Sequence, residues 1–565
     1  MRLWHIDKQI DKFVLYTLSE SNYFLEKQQS KYNVIQPLLF AGILAAGIFL
    51  GYKMNDKSDS PLIAQISDQE GPVEIGQVEE VLKLIDSKYM DVKDQNELVS
   101  IAIRSIINKL DPHSTYISPE DIQYFTESME GNFKGLGIET LFLHDTVGIV
   151  KVLHDSPADR AGLQQFDQII YIDTALVAGA NADYDSIRDK LHAEEASIVL
   201  HIKRYGKKDL IKIEVTPEEI QTHTASAGAM IDDETGIIRI DQFTANTYRE
   251  FMESYEQLYE DQKLKNLIID LRNNPGGFLP EATKILNQLA EDKDKVILYT
   301  IGKNGVRREY KTNGKSFFRV ANIAVLVNEE SASGAEIIAG TLQDWDRAVI
   351  IGRRTYGKGL VQEQFGLSNG GALRLTTARY YLPSGRNIQK DYTNLDDYDY
   401  ELESRVEDGS IFDASKSNAD TTLLKFTSLN LGRKLKEFSG VEPDIFIPAD
   451  SIEYQSAYSK VRSLTLSYIF DRVKNMRTMS QDLIRSKMFM DNFLSYAGKR
   501  YPDVKATKIS DSDKEKLKIA LINDFSYITS DEDTALNLRS NEDRFVIAAM
   551  DYFKNPDLAR LEKKK

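Results

Sequence analysis

The stretch Val327-Asn328-Glu329-Glu330-Ser331-Ala332-Ser333-Gly334-Ala335-Glu336 decides how this chain reads. An apolar run, Ile323–Val327, leads into it, and Ile337, Ile338 and Leu342 follow at helical spacing. The order is strand, turn of small residues, helix. A serine on such a turn is exposed, and the amides that open the helix beside it can hold a developing oxyanion. The same letters also suit plain helix capping, so the neighbouring stretches must decide.

Downstream lies Thr355-Tyr356-Gly357-Lys358-Gly359-Leu360-Val361-Gln362. Lys358 sits between two glycines, which permit tight turns and close backbone approach. A lysine acting as a base must be neutral, and an unperturbed one is neutral in only about one molecule in 2,500 at pH 7. Burial in an apolar cleft lowers its pKa and gives a serine a base without histidine. Gln362 can orient the amine without adding a negative charge. A surface turn is the plain alternative, and no G-x-x-x-x-G-K-[ST] phosphate loop is present. Upstream, Asp270-Leu271-Arg272-Asn273-Asn274-Pro275-Gly276-Gly277 runs a buried strand into a glycine turn whose amides can supply a second oxyanion donor. Around these pieces strands and helices alternate from about Gly236, which predicts a layered α/β core.

Taken together the three stretches resemble the carboxyl-terminal processing (tail-specific) serine proteases, peptidase family S41. That family shows a D-L-R-x-N-x-G-G strand, an S-A-S-x-x-E turn and a T-[FY]-G-K-G turn in this order. Lys358 follows Ser333 by 25 residues, as it does in the family. Leu110-Asp111-Pro112-His113-Ser114, Pro383-Ser384-Gly385-Arg386-Asn387-Ile388-Gln389 and Gly440-Val441-Glu442-Pro443-Asp444 agree with it. The resemblance covers roughly residues 75–447. It implies Ser333 as nucleophile, Lys358 as general base and Gln362 as the residue that positions the lysine. It implies oxyanion donors at Gly334 and at one of Gly276 and Gly277, and a supporting role for Glu336. Registering the motif on Glu336 selects Ser333 over the rival Ser331. Gly334-Ala335 departs from the commoner Ala-Ser after the nucleophile. His113 reads as structural.

Residues 135–217 are rich in short β runs. Gly135-Leu136-Gly137-Ile138 precedes a strand, and Ser156-Pro157-Ala158-Asp159-Arg160-Ala161-Gly162-Leu163 follows. This resembles a bacterial PDZ domain. The resemblance implies that the Gly135–Ile138 amides hold a substrate's C-terminal carboxylate while the tail adds as a strand along Ile138–Leu143.

From Tyr32 to Tyr52 no residue is charged, a length that crosses a hydrocarbon layer of about 30 Å. Arg2, Lys8, Lys12, Lys27 and Lys31 favour keeping the preceding segment inside. The net charge of −16 argues against nucleic-acid binding. The absence of cysteine excludes disulfides and thiolate chemistry, and the seven scattered histidines form no H-E-x-x-H, so no metal or cofactor is expected.

The expected fold is a multidomain α/β chain whose core resembles the ClpP/crotonase-like fold. Its expected parts are a cytoplasmic head (1–32), a transmembrane anchor (33–52), a linker (53–70), an N-terminal helical region (71–128), the PDZ domain (129–217), the protease core (218–448) with a surface insertion (391–435), and a helical accessory domain (449–565). The expected function is cleavage of cell-envelope proteins with accessible C-termini, from a bacterial cytoplasmic membrane with the protease outside. A homodimer through the N-terminal helices and an adaptor protein are both compatible with it. Two alternatives remain open at this point: a non-catalytic PDZ scaffold, and an acyl hydrolase on a crotonase-like core.

Overall fold

A computed structural model describes residues 76–556, apart from 144, 180–183, 192–196, 227, 261–263, 418–423, 438–439, 451–455, 476–479, 503–508 and 530–542. The predicted head, membrane anchor and linker lie outside the described residues. Among the described residues no helix is long and apolar enough to cross a membrane. The chain divides at Val92 into two units. The described part of the first contains the helix Gly76–Lys88. Everything that follows belongs to the second.

The runs Ile-Ile-Arg, Leu-Ile-Ile-Asp and Ala-Val-Leu-Val are nearly continuous in β-branched and aliphatic residues, as strands covered on both faces require. They form Thr235–Arg239, Asn266–Asp270 and Asn322–Val327, which pair in parallel and continue through Val349–Gly352 to Ile445–Phe446. The short strand Ala229–Met230 closes the other edge antiparallel. Alternate residues serve opposite faces. Ile238, Ile240, Leu267, Ile269, Val325 and Ile350 pack under the helices Thr247–Glu260, Leu279–Leu289 and Gly334–Asp344. Ile237, Ile268, Ala324, Leu326 and Ile351 face Val546 and Ala549 of the helix Arg544–Lys554. A second, antiparallel sheet joins Thr115–Ile117, Ala372–Tyr381, Lys293–Gly302 and Arg307–Asn313, with Leu360–Gly366 also on Ala372–Tyr381.

The β module stands on a two-stranded ribbon, Asn132–Gly135 against Glu218–Gln221, so the chain enters and leaves it side by side. Its sheet runs Ile138–Leu143, Thr146–Val152, Gln168–Ile172, Ile198–Lys203, Ile211–Val215, which leaves Ile138–Leu143 at the edge. Ile149, Ile169, Leu200 and Ile187 of the helix Tyr184–Leu191 fill its core.

The described helices after residue 455 pack in two separate places. Helices between Ser456 and Thr529 pack Tyr468, Phe470 and Phe493 against Leu143 and Val150 of the β module. The helix Arg544–Lys554 instead completes the core. An amphipathic period in the sequence states that a helix needs a partner, not which one. The segment expected as a surface insertion is also more than surface: it holds the helices Leu395–Asp399 and Glu401–Glu407 and buries Tyr398 and Arg405.

Candidate active site

The parallel strand Asn322–Val327 delivers the serine turn to the end of the sheet. Ser333 takes φ +52°, ψ −109°, a region that side-chain-bearing residues rarely adopt. Such a conformation costs about 1–3 kcal/mol and persists only where its surroundings hold it. Here the Ala332 amide donates to the Asn274 carbonyl at 2.9 Å. The Ser333 amide donates to Glu336 Oε2 at 2.9 Å. Ser333 is half-buried. Its rival Ser331 is 0% exposed and its hydroxyl donates to the Leu271 carbonyl at 2.8 Å, so Ser331 is sealed into the turn.

Glu336 joins this turn to the lysine loop. One oxygen accepts from Thr355 Oγ1 at 2.5 Å and the Gly357 amide at 2.7 Å. The other accepts from the amides of both Ser333 and Lys358, at 2.9 and 2.8 Å. The carboxylate is fully buried, and that burial pushes its pKa up to about 7 against the opposing pull of its hydrogen bonds. Tyr380 adds a second tie, its hydroxyl donating to the Lys358 carbonyl at 2.7 Å and more loosely to the Ser333 carbonyl at 3.4 Å.

Burial lowers the Lys358 ammonium to about 8. Arg374 adds to the effect, while Glu336 and Asp111 oppose it. Lys358 Nζ donates to Gln362 Oε1 at 3.0 Å, and Gln362 Nε2 donates to the His113 carbonyl. His113 is thereby drawn into the site from far upstream. Asp111 sets its place by accepting from the amides of His113 and Ser114, each at 2.8 Å, and from Ser114 Oγ at 2.6 Å. Burial, with help from Lys358, pushes the imidazole down to about 4, so it is neutral near pH 7. The Ser333 hydroxyl and the Lys358 amine are held on neighbouring loops without a hydrogen bond between them. Catalytic hydrogen bonds are often made only once substrate is bound.

The two glycines of the upstream turn have different places. The Gly276 amide is committed to Asn274 Oδ1 at 2.8 Å. Among the described residues the Gly277 and Gly334 amides donate to no protein acceptor, which leaves them free for an oxyanion. Gly276 must be glycine for a different reason. It sits at φ +98°, and a Cβ there would meet the Ser333 Cβ at 2.6 Å. Asp270 and Arg272 form a bidentate pair at 2.8 and 2.6 Å. Arg272 also reaches Asp543, the N-cap of the helix Arg544–Lys554, at 2.7 Å. This link was invisible in the motif.

In the β module, Leu136 is buried and its carbonyl accepts from the Ala158 amide at 2.9 Å. Gly137 takes φ +77°, and a Cβ there would meet the Ser156 Cβ at 2.2 Å. The Gly135–Ile138 loop is thus fixed by the helix Pro157–Ala161 and opens directly onto the edge strand. A sheet edge of this kind is a template for one added strand.

Residues 234–397 match the model of peptidase family S41. A carboxy-terminal-processing protease of Bartonella bacilliformis is 31% identical over 347 residues, which cover 61% of this chain and 79% of that one. A probable CtpA-like serine protease of Staphylococcus aureus is 28% identical over 367 residues, covering 64% and 73%. Among solved structures, the photosystem II D1 C-terminal processing protease is 25% identical, with 55% of this chain and 84% of that one covered at a TM-score of 0.32.

Proposed function

This chain belongs to peptidase family S41 and is a serine-type peptidase, and from that premise we propose that it docks the C-terminal tail of a protein substrate on its PDZ-like module and cuts with a Ser333–Lys358 dyad. Neutral Lys358 takes the proton of the Ser333 hydroxyl as Oγ attacks the scissile carbonyl. The oxyanion is met by the amides of Gly334 and Gly277. The ammonium returns its proton to the leaving amine, and water then hydrolyses the acyl-enzyme. The observation that carries this reading is the single Glu336 oxygen that holds the amides of Ser333 and Lys358 together, with Lys358 buried enough to lose its proton. The apolar stretch 33–52 anchors the chain in the bacterial cytoplasmic membrane, with peptidase and module on the outer side.

The test is cleavage of an unfolded protein such as casein by the full-length chain, beside a substrate tail with a free or an amidated C-terminus. Casein should be cut, and the amidated tail should be cut about tenfold more slowly, because it removes the charge that the Gly135–Ile138 amides bind. Equal rates on the two tails would remove the docking role of the module while leaving the peptidase in place.

The pH profile carries its own sign. The base works only when neutral and its pKa lies near 8, so kcat/KM should climb as pH rises through about 8. Gln362→Glu places a negative charge where Oε1 now stands 3.0 Å from Nζ. That favours the ammonium, moves the midpoint about one unit alkaline and costs about tenfold at pH 7. An unmoved midpoint would show that Lys358 is not the titrating group.

A further inference from the structure

We propose that Tyr398, on the helix Leu395–Asp399, is a positioning residue for cleavage, acting through His113 on Gln362 and so on Lys358; this rests on the dyad reading above. The Tyr398 hydroxyl stands 2.7 Å from His113 Nε2, across 285 residues of chain. The carbonyl of the same His113 accepts from Gln362, which in turn accepts from the lysine amine. Tyr398 is 3% exposed, and its ring meets that of His113 edge-on at 5.6 Å. Lys390 Nζ lies 4.0 Å from the Tyr398 ring and 4.2 Å from that of Tyr356, inside the lysine loop. The phenol is thus wedged against the support of the base from behind.

The same insertion holds the loop a second way. Arg405, 5% exposed, donates to the carbonyls of Arg354 and Thr355 at 2.9 and 3.1 Å. Its Nε meets Glu401 Oε1 at 2.6 Å, and Glu401 also pairs with Arg354 at 2.7 Å. Glu336 grips the amides of this loop from one side while Arg405 grips its carbonyls from the other. With both sides held, the His113 carbonyl sets where Gln362 can point, and the Tyr398 hydroxyl fixes His113.

Tyr398→Phe keeps the ring and removes only the hydroxyl. In the full-length chain kcat should fall about fivefold to tenfold, the worth of one neutral buried hydrogen bond. KM should stay unchanged, and the melting temperature should fall by no more than about 2–4 °C, the global share of the same lost bond. In a Gln362→Ala background the same substitution should change kcat less than twofold, because its route to the lysine is already cut. Tyr400→Phe, an exposed tyrosine of the same insertion that bonds Glu407, should cut like wild type. An unchanged kcat in Tyr398→Phe, or the same loss in both backgrounds, overturns the proposal and leaves Tyr398 as packing. Lys358→Ala in the same series separates the two levels. If it cuts normally, the dyad reading falls and this proposal with it. If it is silent while Tyr398→Phe cuts like wild type, only the proposal falls.

Discussion

Lys358→Ala is expected to lower peptide-bond cleavage about a thousandfold, the scale on which a general base contributes, without unfolding the chain. The second half of that expectation follows from how the residue is held. The Lys358 amide is bound by Glu336 and its carbonyl by Tyr380, and both contacts survive truncation of the side chain. What disappears is a buried amine whose charged form the site already disfavours. The melting temperature should therefore stay level or rise slightly. Lys358→Arg should be as inactive as the alanine variant, because a guanidinium cannot give up its proton near neutrality. The measurement is single-turnover cleavage of a labelled tail, with thermal unfolding on the same samples. Wild-type cleavage by Lys358→Ala would place the base elsewhere.

Glu336→Gln should lose about a hundredfold in cleavage and about 3 kcal/mol in stability. The four donors around the carboxylate leave no room for a donor in return. The glutamine amide must aim its own N–H at one of them, and the serine and lysine turns then separate. Protonation should also lower cleavage, reversibly, but its effect on stability runs the other way. Since burial raises the Glu336 pKa from 4.5 to about 7, the folded chain takes up a proton more readily than the unfolded one. This group therefore adds stability as pH falls from about 7 toward 4.5, while activity falls over the same range. Protonation of Lys358 alone lowers activity about tenfold per unit below pH 8, so below pH 7 the fall should be steeper than that while the melting temperature gains from this group. Parallel loss of both would mean that the carboxylate has no separate part in holding the turns.

Much of the centre was legible because it is local. A strand, a small-residue turn and a helix lie within a few residues of Ser333, and the glycines around Lys358 state a tight loop in their own chemistry. The alternation of strands and helices was equally plain, since strands buried on both faces are almost wholly apolar. What the letters withheld are contacts across long separations. Nothing near Gln362 announces that its partner is the backbone of His113, or that Tyr398 closes on the imidazole from the other side. The Asp-Tyr-Glu-rich composition after Lys390 reads as surface, yet Tyr398 is buried there because its neighbours His113 and Tyr356 arrive from elsewhere. The glycine pair shows a subtler limit. Both residues suit an oxyanion turn by type, and only the Asn274 side chain decides which amide is left free.

The helix Arg544–Lys554, which covers one face of the central sheet and clasps Arg272 through its cap, carries a consequence for biosynthesis. A ribosome releases about 5–20 residues each second, so every strand of that sheet emerges well before the helix that shields it. Until then an Ile-, Leu- and Val-lined surface stands bare and the strand bearing the Asp270–Arg272 pair lacks its clasp. The nascent chain thus stays incomplete as a peptidase until that helix has been made. A premature stop codon just ahead of Asp543 should accordingly yield an aggregating polypeptide rather than a shortened enzyme.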